Sequence, residues 1–155
     1  MRRAGARDVP VLRAMLYVAF AWRGDSGFPL LDEALALPEV GRYVEEWGRG
    51  GDLGVIADGD IGAAWIRLFT QDEHGYGFVA PDVPELSIGV ARDERGHGVG
   101  TALLGELLVH AAAAGHRAVS LSVETDNPAV RLYERFGFAR VGYVGTSWTM
   151  QRILD

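Results

Sequence analysis

Residues 95–101 read Arg95-Gly96-His97-Gly98-Val99-Gly100-Thr101. They stand between an apolar run, Glu85 to Val90, and a helical pattern that starts at Val99. Glycines in such a turn allow positive φ and leave no side chain in a ligand's way. The first amides of the following helix have no partner within it, and the helix dipole is positive at that end. Together these groups make an anion site of a size that suits a pyrophosphate. A bare tight turn is the alternative that spacing alone leaves open. A phosphate loop of the Walker type is excluded, because the chain contains no lysine. A dinucleotide-binding reading fits less well. The glycines come after residue 90 rather than at the start of a βαβ series, and the sheet reads as mixed.

The second chemical segment runs from Leu121 to Phe138. Asn127 stands where a helix should start, and Tyr133 follows it by almost two turns. A phenol there can donate a proton, or it can be a core aromatic packed with Val130 and Phe136. His97 lies within the glycine turn as a solvent-facing position, His74, His110 and His116 show no metal-ligand spacing, and no metal is expected. Trp22, Phe28, Trp65, Tyr76 and Trp148 are candidates for a pocket wall, although core filling is the more ordinary role of such rings. Asp72, Glu73 and Asp82 fall in a polar loop, where they attract a cation or are simply solvated.

Positioning these groups requires an alternating fold. Asp8 is placed to cap a helix with Pro10 in its first turn and Val11, Leu12, Met15, Leu16 and Phe20 as its apolar residues. Trp22 to Leu37 reads as a loop with some helical turn, and Pro38 to Trp47 as a second helix. Strands follow at Leu53–Ala57 and Ile61–Phe69, joined by the tight turn Asp58-Gly59-Asp60. Thr70 to Pro84 reads as a long mobile loop. Next come a strand at Glu85–Val90, a helix at Val99–Ala114, a strand at Ala118–Val123 and a helix from Asn127 to about Gly137. Two strands, Ala139–Val144 and Ser147–Leu154, close the chain. The β-α-β unit around Val99–Ala114 implies a parallel pair, and the hairpins imply antiparallel neighbours, so the class is α/β with a mixed sheet.

Composition narrows the chemistry. The chain has 155 residues, 48% hydrophobic and 23% charged, which suits one domain spanning 1–155. A net charge of −6 argues against bulk attraction to nucleic acid or anionic lipid. No apolar run approaches a membrane span. The basic start leads into a helical pattern rather than a secretory core, so a cytoplasmic location is expected. All fifteen basic residues are arginine, and cysteine is absent. Schiff-base lysines, cysteine nucleophiles, disulfides and thiolate metal sites are thereby excluded.

Taken together, the two segments resemble the GNAT superfamily of N-acyltransferases. Glu85-Leu86-Ser87-Ile88-Gly89-Val90 followed by Arg95 to Thr101 looks like that family's pyrophosphate motif, with Arg95, Gly98 and Gly100 in its defining positions. Asn127 to Phe138 resembles its second motif, in the family's order. The resemblance implies a mostly antiparallel sheet of about seven strands flanked by about four helices, with strands four and five splayed apart. It implies acetyl-CoA as cosubstrate, with its pantetheine arm in the splay. Carried over residue by residue, Ile88, Gly89 and Val90 lie along the arm, with the Ile88 and Val90 backbones pairing to its amides. Residues Arg95, Gly96, His97, Gly98, Val99, Gly100 and Thr101 hold the pyrophosphate. Asn127 contacts the arm, and Tyr133 approaches the thioester sulfur as the acid. The Val90 N–H is the implied oxyanion donor.

The base is a choice of carboxylates. Regular alternation puts Glu85 with Ser87 and Gly89 on one face, turned toward the acceptor cleft and acting through a water. A bulge in this strand, as the family implies, would shift that parity. Glu124 is the rival. Relatives that acetylate ribosomal-protein N-termini carry a glutamate where this chain has Ser122. The expected function is therefore acetyl transfer to a small-molecule amine in a ternary complex. A protein N-terminal or side-chain acetyltransferase is the alternative, and a non-catalytic acyl-CoA-binding module the more distant one. The expected partners are the amine acceptor and, for assembly, a second copy in a homodimer.

Overall fold

The computed structural model describes residues 1–24 and 28–154. Seven strands form one sheet: β1 (Arg2–Arg3), β2 (Leu53–Ile56), β3 (Gly62–Arg67), β4 (Glu85–Val90), β5 (Ala118–Glu124), β6 (Ala139–Val144) and β7 (Ser147–Ile153). Their order across the sheet is β1-β2-β3-β4-β5-β7-β6. Neighbours are antiparallel except β4 and β5, which run parallel. Among the described residues, five α-helices flank it: α1 (Val9–Phe20), α2 (Leu31–Ala36), α3 (Pro38–Gly41), α4 (Val99–Ala113) and α5 (Ala129–Arg135).

Strand alternation sorts the core into two layers. Val55, Ala64 and Ile66 join Leu103, Leu104 and Leu107 of α4 and Tyr133 of α5 on one face. Ile56, Ala63 and Trp65 join Leu12, Met15 and Leu16 of α1 on the other, with Leu35 and Val40 beside them. The i, i+3, i+4 spacing of the buried α1 residues is the stripe a surface helix lays against a sheet. Burying each such leucine or methionine is worth roughly 1.5–3 kcal/mol.

Local differences from the sequence reading have physical causes. The helix expected over Pro38 to Trp47 stops at Gly41 and continues as turns. Buried side chains take over its carbonyls. Arg67 donates to the carbonyls of Arg42 and Glu45, and Trp65 Nε1 donates to that of Tyr43. Arg67 is itself paired with Asp52, and both side chains are almost fully buried. Asp8 does not cap α1. Its carboxylate turns back to accept from the Gly5 N–H at 2.8 Å and from Arg2 at 2.7 Å. The stretch from Trp22 to Leu37 contains α2, and its residues 25–27 lie outside the described ones.

The register of β3 against β4 runs unbroken from Gly62↔Val90 to Arg67↔Glu85, so β4 carries no bulge on that side. The irregularity lies instead in β6, between Arg140 and Gly142. Between β4 and β5 the pairing is confined to Glu85↔Ser120, with Ser120 N–H donating to the Pro84 carbonyl at 3.0 Å. Beyond that pair the strands diverge.

Candidate active site

The divergence of β4 and β5 opens a cavity of about 960 Å³ that passes through the sheet. From the α4/α5 side it is lined by Arg95, Gly96, Gly98, Val99, Gly100 and Thr101, with Asn127, Leu132 and Tyr133 opposite. From the α1 side it is lined by Leu16, Phe20, Trp22, Tyr43 and Tyr76. Ser87, Ser122, Glu124 and Ser147 lie along its course.

Backbone groups alternate sides along a strand. The Pro84 carbonyl points at β5, and the Ala91 N–H points at the β3 side, where it donates to Ile61. Leu86, Ile88 and Val90 therefore direct their N–H and C=O groups into the gap. Gly89 lines the cavity on the opposite parity. A Cβ there would collide with the Met15 backbone, so glycine lets α1 sit close against β4.

The glycine turn is built as an open cradle. Gly96 and Gly98 both have φ of +81°, and a Cβ on either would meet nothing within 4 Å. Gly98 precedes α4 with no side-chain cap, so the first-turn amides face outward unspent. A phosphate-bearing ligand fits this empty volume and donor set. His97 is exposed and does not line the cavity. Arg95 lines it, while its Nη1 donates to the Trp22 carbonyl at 3.3 Å.

Asn127 Oδ1 accepts from the Ala129 N–H at 2.9 Å and so fixes the start of α5. That leaves its amide nitrogen for other work. Tyr133 then comes round on the inner side of α5, 7% exposed and edge-on to Phe138 at 5.8 Å. Among the described residues its hydroxyl makes no hydrogen bond. Burial pushes the phenol well above its ordinary pKa, so it is protonated throughout the physiological range.

Glu85 is placed behind the wall of the cavity rather than on it. It is 2% exposed. Its Oε2 accepts from Gly75 N–H at 2.8 Å, and its Oε1 from Gly77 N–H at 2.9 Å and more weakly from Tyr43 Oη at 3.4 Å. Burial raises its pKa, and the Gly77 and Gly75 amides pull it part of the way back. The 70–84 loop, read from sequence as mobile, is thus tied down at its middle. Gly77 lies so close to the Leu121–Ser122 backbone that a Cβ would collide with it. Glu124 does line the cavity, and Arg23 donates to its Oε2 at 2.6 Å.

Of the five candidate wall aromatics, Trp22 and Tyr76 line the cavity. Trp65 is fully buried, Phe28 packs on Tyr17, and Trp148 packs on Tyr143. Phe20 and Tyr43 line it without having been singled out from the sequence. Both belong to apolar stripes, and nothing in a stripe marks the member at which the covering helix ends. Among the described residues no group of histidines and carboxylates could hold a metal ion. No helix among them is long and apolar enough to cross a membrane.

Comparison with known proteins bears on the same region. A mycothiol acetyltransferase from Actinosynnema mirum is 34% identical over 126 residues, covering 79% of this chain and 38% of the relative. One from Geodermatophilus obscurus is 36% identical over 116 residues, covering 72% of this chain and 36% of the relative. The chain thus spans well under half the length of these relatives. A ribosomal-protein-alanine N-acetyltransferase from Brucella melitensis shares the fold with a TM-score of 0.69 at 24% identity, covering 99% of this chain and 98% of that one. YncA from Salmonella typhimurium, solved with its cofactor acetyl-CoA, superposes with a TM-score of 0.65 at 21% identity, covering 99% and 92%. The family model described as Acetyltransferase (GNAT) family matches residues 18–138, from the end of α1 past α5, and the chain belongs to that family.

Proposed function

We propose that the chain acts as a single-domain N-acetyltransferase, moving an acetyl group from acetyl-CoA to a primary amine of a small molecule. One observation carries the reading: the cavity passes through the sheet at the β4/β5 splay, with an anion cradle on one side and a separate aromatic wall on the other. Two ligands can enter from opposite faces and meet at the gap. Direct attack needs no covalent enzyme intermediate, and the chain has no cysteine to form a thioester.

Acetyl-CoA, when bound, supplies an activated thioester carbonyl. The protein's groups do the rest. The first amides of α4 and Arg95 bind the pyrophosphate, and the gap-facing groups of Ile88 and Val90 align the amide-bearing arm. Asn127 offers its free amide N–H₂ to the same arm. A gap-facing N–H of β4, that of Val90, donates to the oxygen that gains charge as the amine attacks. The new N–C bond forms, the C–S bond breaks, and Tyr133 gives its proton to the departing sulfur. The amine's proton passes through water to Glu85, whose raised pKa makes it a stronger base than an ordinary carboxylate. Tyr43 lies between Glu85 and the cavity and donates to the carboxylate. Glu124 is the second reading for the base, favoured by its place on the cavity wall.

The name of the sequence relatives, mycothiol acetyltransferase, supports a small-molecule acceptor. Ser122 on the wall, in place of a glutamate, argues against a protein N-terminus as acceptor. Thermal-shift titration with acetyl-CoA tests the donor assignment. At a hundredfold excess over the dissociation constant, stabilisation of about 2.7 kcal/mol is expected. No shift at millimolar acetyl-CoA would overturn it.

A further inference from the structure

The wall on the α1 side is built of rings. Phe20, at the last residue of α1, lies 5.9 Å from Tyr43 and 6.3 Å from Tyr76, edge-on to the latter. Tyr43 is braced from behind by Phe69 at 5.6 Å. Tyr76 is 54% exposed, yet its backbone is tied down by hydrogen bonds. Its N–H donates to Tyr43 Oη at 2.8 Å, and the flanking Gly75 and Gly77 amides donate to the two oxygens of Glu85. Three consecutive amides are thus bound by two buried side chains.

An exposed ring on so rigid a support contributes little to the core, since more than half of it faces water. It is well suited to a ligand instead, because the ordering entropy of the segment is already spent in folding. Two acidic groups near this end, Glu124 and Asp126, are engaged. Arg23 spans from Glu124 to Asp126, at 2.6 and 2.7 Å. The hydroxyls of Ser87, Ser122 and Ser147 also line the cavity. At the ring wall itself, an amine that carried a second charge on its body would face aromatic rings and the carboxylates paired with Arg23, while Glu94 lines the cavity next to the glycine turn.

We propose that the acceptor is a primary amine carried on an aromatic body, which packs against the rings of Phe20 and Tyr76 while its nitrogen reaches the gap. This rests on the acetyltransferase reading and names the substrate class of the same cavity. The test is calorimetric titration of phenethylamine, putrescine and glucosamine into the protein, with and without saturating CoA. Phenethylamine is expected to bind about tenfold or more tighter than either of the others, the scale set by one well-packed aromatic contact. Tyr76→Ala is expected to remove most of that preference without changing CoA affinity, and Tyr76→Phe to keep it. Equal affinity for the three amines, or an unchanged preference in Tyr76→Ala, would overturn the proposal. Loss of the donor assignment would show separately, as absent CoA binding, and the CoA-free amine titrations would still decide the aromatic slot.

Discussion

Glu85 pairs with Ser120 at the head of β4 and β5, and no further register pair joins the two strands. That single pair is the hinge of the functional architecture. It lies at the first residue of β4. Beyond it, the backbone edges of Ile88 and Val90 are left without a strand partner, a costly state unless water or a ligand fills it. The residue that makes the pair also sends its side chain to the 75–77 amides, so one position sets both the gap and the loop beside it.

Gly98→Glu tests the cradle. The residue has φ of +81° and open space beyond it, so the substitution costs about 1–2 kcal/mol of backbone strain and leaves the protein folded. It places a carboxylate where phosphates must approach. Acetyl-CoA binding by calorimetry should be lost while the circular dichroism spectrum persists. Retained affinity in a folded variant would make the turn purely structural.

Glu85→Gln tests the base through pH. Burial raises the Glu85 pKa, so its base form is lost at higher pH than for an ordinary carboxylate. The wild-type rate should climb as pH rises through that raised value, and the limb should vanish in the glutamine variant, with kcat down by about 10²-fold or more. Glu124→Gln should keep the limb. The reverse pattern would move the base to Glu124.

Asp52→Ala tests the support beneath the acceptor wall. It strands the buried Arg67 guanidinium, which also anchors the carbonyls of Arg42 and Glu45. Breaking a buried pair from one side costs about 3–5 kcal/mol. Chemical denaturation should show a loss of that size, whereas a loss below about 1 kcal/mol, the scale of a surface pair, would contradict the structure.

Much of this site was legible from residue types. The turn at 95–101 announces itself because only glycine supplies positive φ and open volume, and Asn127 because a helix start needs a cap. The parallel β4/β5 pair follows from a helix lying between two strands. Phe20, Tyr43 and the 75–77 segment could not be read this way. Their meeting depends on contacts between residues far apart in sequence, such as the Tyr76 N–H on Tyr43 Oη, which leave no local pattern. The inward turn of Glu85 was hidden for the same reason. Strand parity assigns it a face but does not say that a loop has already claimed its carboxylate.

Tyr133→Phe separates acid from packing. The ring and its contact with Phe138 remain, so melting temperature and CoA affinity should change little. Single-turnover acetyl transfer should slow by about 10²-fold or more. Wild-type single-turnover rates would leave the tyrosine as a core residue.

The most direct measurement is mass spectrometry of a primary amine incubated with acetyl-CoA and the protein, with free thiol followed in parallel. The expected result is one acetyl group gained on the amine nitrogen for each thiol released, abolished by Gly98→Glu and strongly slowed by Tyr133→Phe. Acetyl-CoA bound without any acetylated product from aromatic, aliphatic or sugar amines would contradict acetyl transfer and leave a protein that only binds the thioester.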